Sequence, residues 1–300
     1  MLSFQKISGK PNLIRNFTGL SKTDFSDLLP AFDKADKADL SSRSRCRLRT
    51  IGGGRKPILS SPSDRLLFIL FYFKFYPTQE VLGFFFGISQ GQASHWIHRL
   101  TPIINAALGY EMKLPARKPA DVQMLLKECP SLEFIIDGTE RPINRPKDAE
   151  KQKRYYSGKK KRHTVKNLYI SDKETKRIHA LSPTYEGKRH DKSIADAQQY
   201  HFPEGSTLYK DTGFQGYEPE KITTVQPKKK PRGGQLTDSE KERNREISSQ
   251  RIRVEHSIGG VKIYRIVRDI YRNRKSGYED LVIETAVGLY NYRIDRRAAG

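Results

Sequence analysis

Cysteine, acidic residues and long apolar runs are all scarce in this chain. Two cysteines, Cys46 and Cys129, serve 300 residues. They have neither metal-ligand spacing nor the numbers for a disulfide framework, which suits a reducing cytoplasm. The most apolar stretch, Leu66 to Tyr76, is too short to span a bilayer and is interrupted by Lys74. The first residues, Met1-Leu2-Ser3-Phe4-Gln5-Lys6, lack the apolar core of a signal peptide. No internal repeat stands out. Acid is the largest deficit: 34 Asp and Glu stand against 56 Lys and Arg, a formal net charge of +22. That surplus exceeds what solubility needs and points to a polyanion, of which DNA is the natural candidate. The length suits one large or two modest domains.

What is present divides in two. Residues 1 to about 40 read as a helical lead-in, with Ser21 capping a helix through Phe25, Leu28, Leu29 and Phe32. Residues 41–57 read as a basic linker ending in Gly52-Gly53-Gly54-Arg55-Lys56-Pro57. Residues 62–108 are helical. Pro62-Ser63-Asp64 open one helix, Pro77-Thr78 stop it and cap the next, and Gly87-Ile88-Ser89 turn the chain into a helix over Gln90–Leu100. A short helix, a glycine-bearing turn and a capped helix make the helix-turn-helix plan. In that last helix Ala93, Trp96, Ile97 and Leu100 face inward. Gln90, Gln92, Ser94, His95, His98 and Arg99 are the expected DNA-facing set, since such side chains read base edges or hold phosphate. An αα-hairpin packed into a core is the bland alternative.

Beyond Pro130 the pattern becomes mixed. Strands are expected at Leu132–Ile136, Thr164–Ser171, Arg177–Pro183 and Thr207–Tyr209, with a helix at Lys192–Tyr200. Between the first two strands, residues 141–163 read as a Lys/Arg/Tyr-rich loop that includes Lys159, Lys160, Lys161 and Arg162. Three acids stand out. Asp137 ends the run Leu132-Glu133-Phe134-Ile135-Ile136, Asp211 ends Ser206-Thr207-Leu208-Tyr209-Lys210, and Glu255 lies within a long helical pattern. Two carboxylates at strand ends and a third on a helix can hold a pair of Mg²⁺ ions against a phosphodiester. Each has a bland reading too. Asp137-Gly138 and Asp211-Thr212-Gly213 are turn sequences, and Arg251–Glu255 is a surface i,i+4 pair. On an ideal helix Arg251, Glu255 and Lys262 lie within about 40° of one another, forming one charged stripe. Asp191 reads as a helix cap or supporting group.

Taken together, these motifs resemble bacterial insertion-sequence transposases of the DDE superfamily endonuclease class, akin to eukaryotic Harbinger-type transposases. The resemblance is carried by Gly87-Ile88-Ser89-Gln90, Asp137-Gly138-Thr139-Glu140, Tyr155-Tyr156-Ser157-Gly158-Lys159, Arg189-His190-Asp191, Asp211-Thr212-Gly213-Phe214-Gln215-Gly216 and Arg251-Ile252-Arg253-Val254-Glu255-His256. It implies an α/β RNase-H-like catalytic core with an N-terminal all-α helix-turn-helix DNA-binding domain. The expected boundaries are 1–57 for the lead-in and linker, 58–115 for the helix-turn-helix domain and 131–298 for the catalytic domain. The resemblance makes Asp137, Asp211 and Glu255 the metal-binding catalytic triad, at separations of 211 − 137 = 74 and 255 − 211 = 44 residues. Arg251 and Lys262 match the cations that flank the glutamate in related transposases, while Ser248 stands where those carry a tyrosine.

The implied cofactor is Mg²⁺, two ions, with Mn²⁺ as a substitute. The implied partner is double-stranded DNA, both the terminal inverted repeats and the target, bound by a homodimer. No membrane is involved, and the expected location is cytoplasmic and nucleoid-associated. Arg251, Lys262 and the Lys159–Arg162 run would meet phosphates. The competing expectations are a helix-turn-helix regulator with an inert core, and a domesticated nuclease that cuts without integrating.

Overall fold

The structure, a computed structural model, describes residues 1–44, 57–129, 131–231 and 233–298; of Ser44 and residues 250–256 it describes the backbone only. The chain divides into two compact units, one formed by Met1–Leu114, Lys262–Asp269 and Lys275–Gly300, the other by Pro115–Val261 and Ile270–Arg274.

The first unit begins with α1 (Phe4–Ile7), α2 (Pro11–Thr18) and α3 (Lys22–Ser44), followed by α4 (Pro62–Phe75), α5 (Gln79–Phe86) and α6 (Gln90–Tyr110). Helix α3 runs through residues 41–44, the start of the tract read as linker; the rest of that tract, 45–56, lies outside the described residues. Local chemistry sets the helix starts. Ser21 Oγ accepts from Asp24 N at 3.0 Å, Ser61 Oγ from Asp64 N at 3.0 Å, and Thr78 Oγ1 from Val81 N at 3.4 Å. Ser89 and Gln92 form a reciprocal capping box. The turn between α5 and α6 needs Gly83, where a Cβ would lie 2.5 Å from Ile88 O, and Gly87, whose φ of 67° ends α5. Leu66–Phe73 of α4 are all buried, so that helix is core on every side.

Helix α6 packs against α3, α4 and α5. It continues past the expected end at Leu100 and through Pro102 to Tyr110. Burial of Ile103, Ile104, Ala107 and Leu108 outweighs the hydrogen bond that Pro102 cannot donate.

The second unit contains α7 (Pro119–Lys127), β1 (Glu133–Pro142), α8 (Ala149–Tyr155), β2 (Tyr156–Ser157), β3 (Arg162–Asp172), β4 (Ile178–Leu181), β5 (Tyr185–Glu186), α9 (Asp191–Gln198), β6 (Thr207–Lys210), a 3₁₀ turn (Thr212–Phe214), β7 (Thr223–Val225) and α10 (Asp238–Val261). Thus residues 141–163, expected as a loop, include the end of β1 and a short helix capped by Asp148. The strands form one mixed sheet in the order β2-β3-β1-β6-β7, with β4 and β5 also paired to β3. Strand β1 is antiparallel to β3 and parallel to β6, and β6 is parallel to β7. Phe134, Ile136, Leu168, Ile170, Ala180 and Leu208 form one apolar layer with Val122 and Leu126 of α7 and Ile194 and Ala195 of α9. Helix α10 also packs against β1, and none of its described residues belongs to that layer.

A polar cluster joins β1, β6 and the β3–β4 turn near the start of β1. Lys173 Nζ donates to Glu133 Oε1 at 2.7 Å and to Tyr209 Oη at 3.0 Å, and Tyr209 Oη donates to Glu133 Oε1 at 2.9 Å. Those bonds, that from Lys173 above all, hold the Glu133 carboxyl below the usual carboxylate range. Because a slip of one residue would invert every side chain, such cross-strand contacts fix the register.

The chain returns to the first unit with a 3₁₀ turn (Arg265–Val267) and α11 (Tyr278–Ala298), which packs on α6. Thr101 Oγ1 and Tyr278 Oη share a 2.6 Å hydrogen bond in that contact. Elsewhere in the unit Asp36, 1% exposed, meets Arg99 at 2.5 Å and Arg65 at 2.8 Å. Asp36→Ala strips a buried carboxylate from two largely buried guanidinium groups, so unfolding stability in urea is expected to fall by about 3–5 kcal/mol. A loss well under about 1 kcal/mol, the usual worth of an exposed pair, would contradict this.

Candidate functional site

The parallel ladder between β1 and β6 ends with Ile136 opposite Lys210. Asp137, still within β1, and Asp211, the extended residue just after β6, follow that pair, so they emerge side by side, about 4.8 Å apart in the backbone. Side chains alternate along a strand. Ile136 and Leu208 belong to the apolar layer covered by α7 and α9. Asp137 therefore lies on the opposite face, two residues after Ile135 and opposite Tyr169. Asp211 keeps the same parity, three residues after Leu208. Asp137 is not at a strand end, as its sequence setting suggested. Strand β1 continues through Pro142 because β3 pairs with it as far as Thr164, and only the β6 ladder stops there.

Both acids are partly held. Asp137 Oδ1 accepts from Gly138 N at 2.7 Å and Oδ2 from Tyr169 Oη at 3.3 Å. Asp211 Oδ1 accepts from Thr212 N at 2.6 Å, and its carbonyl accepts from Gln226 Nε2 at 2.8 Å. That second bond ties the residue to the segment after β7. Glu255 lies in α10, the helix that packs on β1, and Ser257 Oγ of that helix donates to Lys176 O at 3.2 Å. The side chains of Glu255 and Arg251 lie outside the described residues. Helix α10 ends at Val261, so Lys262 falls just beyond it and the charged stripe stops short of that residue.

Beneath the acid pair, on the α9 side, sits a carboxylate that the sequence marked only as a cap or supporting group. Asp191 is the first residue of α9, with His190 in the cap position. A Cβ at Gly138 would lie 2.9 Å from Asp191 Oδ1, and one at Gly213 2.9 Å from Oδ2. These are the glycines just after Asp137 and two after Asp211, so Asp191 fills the space between the two acid-bearing segments. Buried Lys166 holds it, with Nζ 2.9 Å from Asp191 Oδ1, 3.7 Å from Glu140 Oε1 and donating to Arg189 O at 2.9 Å. Sequence reasoning missed Lys166 and Glu140. Their signal was faint: alternation along β1 and β3 puts both on the α9 face, but a buried lysine is rare enough to be passed over.

A cavity of about 1080 Å³ opens beside this network, lined by Glu140, Lys166, Asp191, Asp211, Gly213, Tyr156, His163 and several cations. It reaches Asp211 and not Asp137. Another set of metal-ligating atoms, from Cys129, Asp172 and His179, lies within 4.8 Å of one another. There Asp172 is engaged in anchoring the β3–β4 turn, accepting from Glu174 N, Thr175 N and Ser131 Oγ. Burial pushes the Cys129 thiol up to about 11, and Cys129 Sγ lies 3.4 Å from His179 Nε2. That mix of soft and committed donors contrasts with the hard oxygen pair at Asp137 and Asp211.

In the helix-turn-helix segment, Gln90, Gln92 and His95 are exposed and Ser94 is half-buried. Gln90 Nε2 donates to Gln79 Oε1 at 2.6 Å, and Gln92 spends its Oε1 on the capping box. Arg99 and His98 correct the expectation of an outward face. Arg99 is 8% exposed and paired with Asp36 and Asp39, because α3, absent from the helical-wheel argument, packs over that side. His98 is half-buried against the Tyr278 ring, and burial followed by Lys275 lowers its pKa, so it is a poor cation for phosphate. Lys159, Lys160, Lys161 and Arg162 are exposed in and beside the β2–β3 turn.

Comparison with known proteins gives consistent matches. The family described as DDE superfamily endonuclease matches residues 136–291, and the helix-turn-helix of DDE superfamily endonuclease matches residues 58–109. A protein named as a transposase for insertion sequence element IS702, from Microchaete diplosiphon, is 31% identical over 247 residues, covering 82% of this chain and 85% of its own. One named for element IS112, from Streptomyces albus G, is 25% identical over 264 residues, covering 87% and 88%. A solved piggyBac transposase synaptic complex with hairpin DNA aligns with 95% of this chain and 74% of its own at 10% identity and a TM-score of 0.43.

If Asp191 fills the gap between the acid-bearing segments, Gly138→Ala must displace it. Melting and urea unfolding are expected to show a loss of about 1–3 kcal/mol. Adding Asp191→Ala should recover part of that loss, whereas strictly additive losses would show that the two do not meet.

Proposed function

The chain belongs to the DDE superfamily endonucleases and is a DNA transposase, and from that premise we propose that it binds the terminal inverted repeats of its insertion sequence, cuts there with divalent metal ions and transfers the freed strand to target DNA. The observation that carries the proposal is the strand register that sets Asp137 beside Asp211. The sheet also supports an RNase-H-like reading of the core. An antiparallel meander of β1, β3 and β4 is followed by two strands parallel to β1, with helices between them.

Asp137 and Asp211, with Glu255 from α10, would hold Mg²⁺ or Mn²⁺, and their hard oxygens suit those ions. When bound, a metal pair supplies activation of the attacking oxygen and stabilisation of the leaving one. The chain's own residues do the rest. The β1–β6 ladder fixes the separation of two acids, and the Gln226 bond to the Asp211 carbonyl steadies the second. Exposed Lys159, Lys160, Lys161 and Arg162 offer phosphate contacts beside the cavity, and Arg251 and Lys262 would add others. Gln90, Gln92, Ser94 and His95, at the start of α6, are the groups presented to a major groove. Arg99 and His98 are left out of that set for the reasons above. Two ends must be joined, so two copies of the chain act together. Among the described residues no helix is long and apolar enough to cross a membrane, and work on DNA puts the protein at the nucleoid.

The test is cleavage of DNA carrying the element's own ends, in Mg²⁺, by wild type and by Asp137→Ala, Asp211→Ala and Glu255→Ala. Wild type is expected to cut at the boundary, and each variant to lose at least about a hundredfold in rate while still binding the ends. Binding by wild type with no cut under any divalent metal would mean a DNA-binding regulator. Cutting without strand transfer would mean a nuclease.

A further inference from the structure

The cavity beside Asp211 has features that the acid pair does not explain. Its lining includes Tyr156, Ser157, Gly158 and His163. Tyr156 pairs with His163 across β2 and β3, and their rings meet edge to face with centroids 5.6 Å apart. Tyr156 is nevertheless 43% exposed. An aromatic ring steadied by a neighbour and still open to solvent is a platform for a flat partner. The wall also carries Lys159, Lys188 and Lys229. Their ammonium groups meet no carboxylate among the described residues, whereas Lys166 and Lys153 in the same wall are paired. Unpaired cations beside an exposed ring match the alternation of phosphate and base in a single strand.

At about 1080 Å³ the cavity has room for a nucleotide or two. We propose that this cavity receives unpaired nucleotides flanking the scissile bond, a base stacking on Tyr156 and its phosphates meeting Lys159, Lys188 and Lys229. The inference rests on the transposase reading and adds that the DNA must open locally at the boundary. Opening costs unpairing and unstacking, and the cavity returns part of that cost through stacking and charge.

The first experiment compares wild type, Tyr156→Ala and Tyr156→Phe on two DNA ends, one fully paired and one mismatched over the boundary base pairs. Tyr156→Ala should cut the paired end about tenfold more slowly, the loss of one stacked base, and the mismatched end at close to the wild-type rate. Tyr156→Phe, which keeps the ring, should match wild type on both. An equal loss on both ends would assign Tyr156 a merely structural role, and no loss on either would remove it from the path of DNA. Both results overturn the proposal.

A second experiment needs no cleavage and stands apart from the transposase reading. A short single-stranded oligonucleotide carrying 2-aminopurine should be quenched on binding to wild type and Tyr156→Phe, and much less on binding to Tyr156→Ala. Equal quenching by all three proteins, or no binding by wild type, overturns the proposal.

Discussion

Two neighbouring strands run parallel with Ile136 opposite Lys210, and whatever follows that pair on each must emerge side by side. Asp137 and Asp211 hold those positions, so the acid pair follows from the hydrogen-bond ladder. The ladder is guarded at its other end by Glu133, Lys173 and Tyr209, and beneath it by Asp191 between Gly138 and Gly213. The two glycines make this fit possible, since a methyl group at either would meet the carboxylate. One register thus sets both faces of the sheet: acids on one side and the buried Lys166–Asp191 pair on the other, with the cavity reaching from that pair to Asp211.

The surplus of positive charge is not spread evenly in its use. Arg65 and Arg99 are spent on Asp36, Lys166 on Asp191, and buried Lys210 on the Tyr217 carbonyl and Glu218. These cations are committed to partners within the protein. The positive field that DNA would meet comes from other residues, among them the exposed turn Lys159–Arg162 and the cavity wall. A basic composition therefore predicts the partner better than it predicts which residues touch it.

Much of the local structure was legible because local rules govern it. Ser21, Thr78 and Ser89 cap helices where the sequence says they should, and the Gly87 turn joins α5 to α6 as the pattern implies. Features set by distant partners were not legible. The strand is expected to stop at Ile136, before Asp137-Gly138, and it continues to Pro142 because β3 pairs along its whole length and Asn167 and Thr184 accept from buried Arg141. Arg99 looked outward on a helical wheel that could not include α3. Nothing in the local sequence of Tyr278–Ala298 states that it packs on α6, nor in that of Thr223–Val225 that it adds a strand beside β6. For the candidate site, the sequence singles out the two aspartates, and the fold supplies their adjacency and the support beneath them.

The central claim is that Asp137 and Asp211 share a divalent ion, and the most direct measurement is to let that ion mark its own position. With Fe²⁺ in place of Mg²⁺ and peroxide with ascorbate added, hydroxyl radicals formed at the bound ion cut the nearby backbone, and the fragments can be read by mass. The account predicts two main cuts, at residues adjoining Asp137 and Asp211, both suppressed by excess Mg²⁺ and by Asp137→Ala. Cuts concentrated at Cys129 and His179, or scattered with no preference for either aspartate, would contradict it.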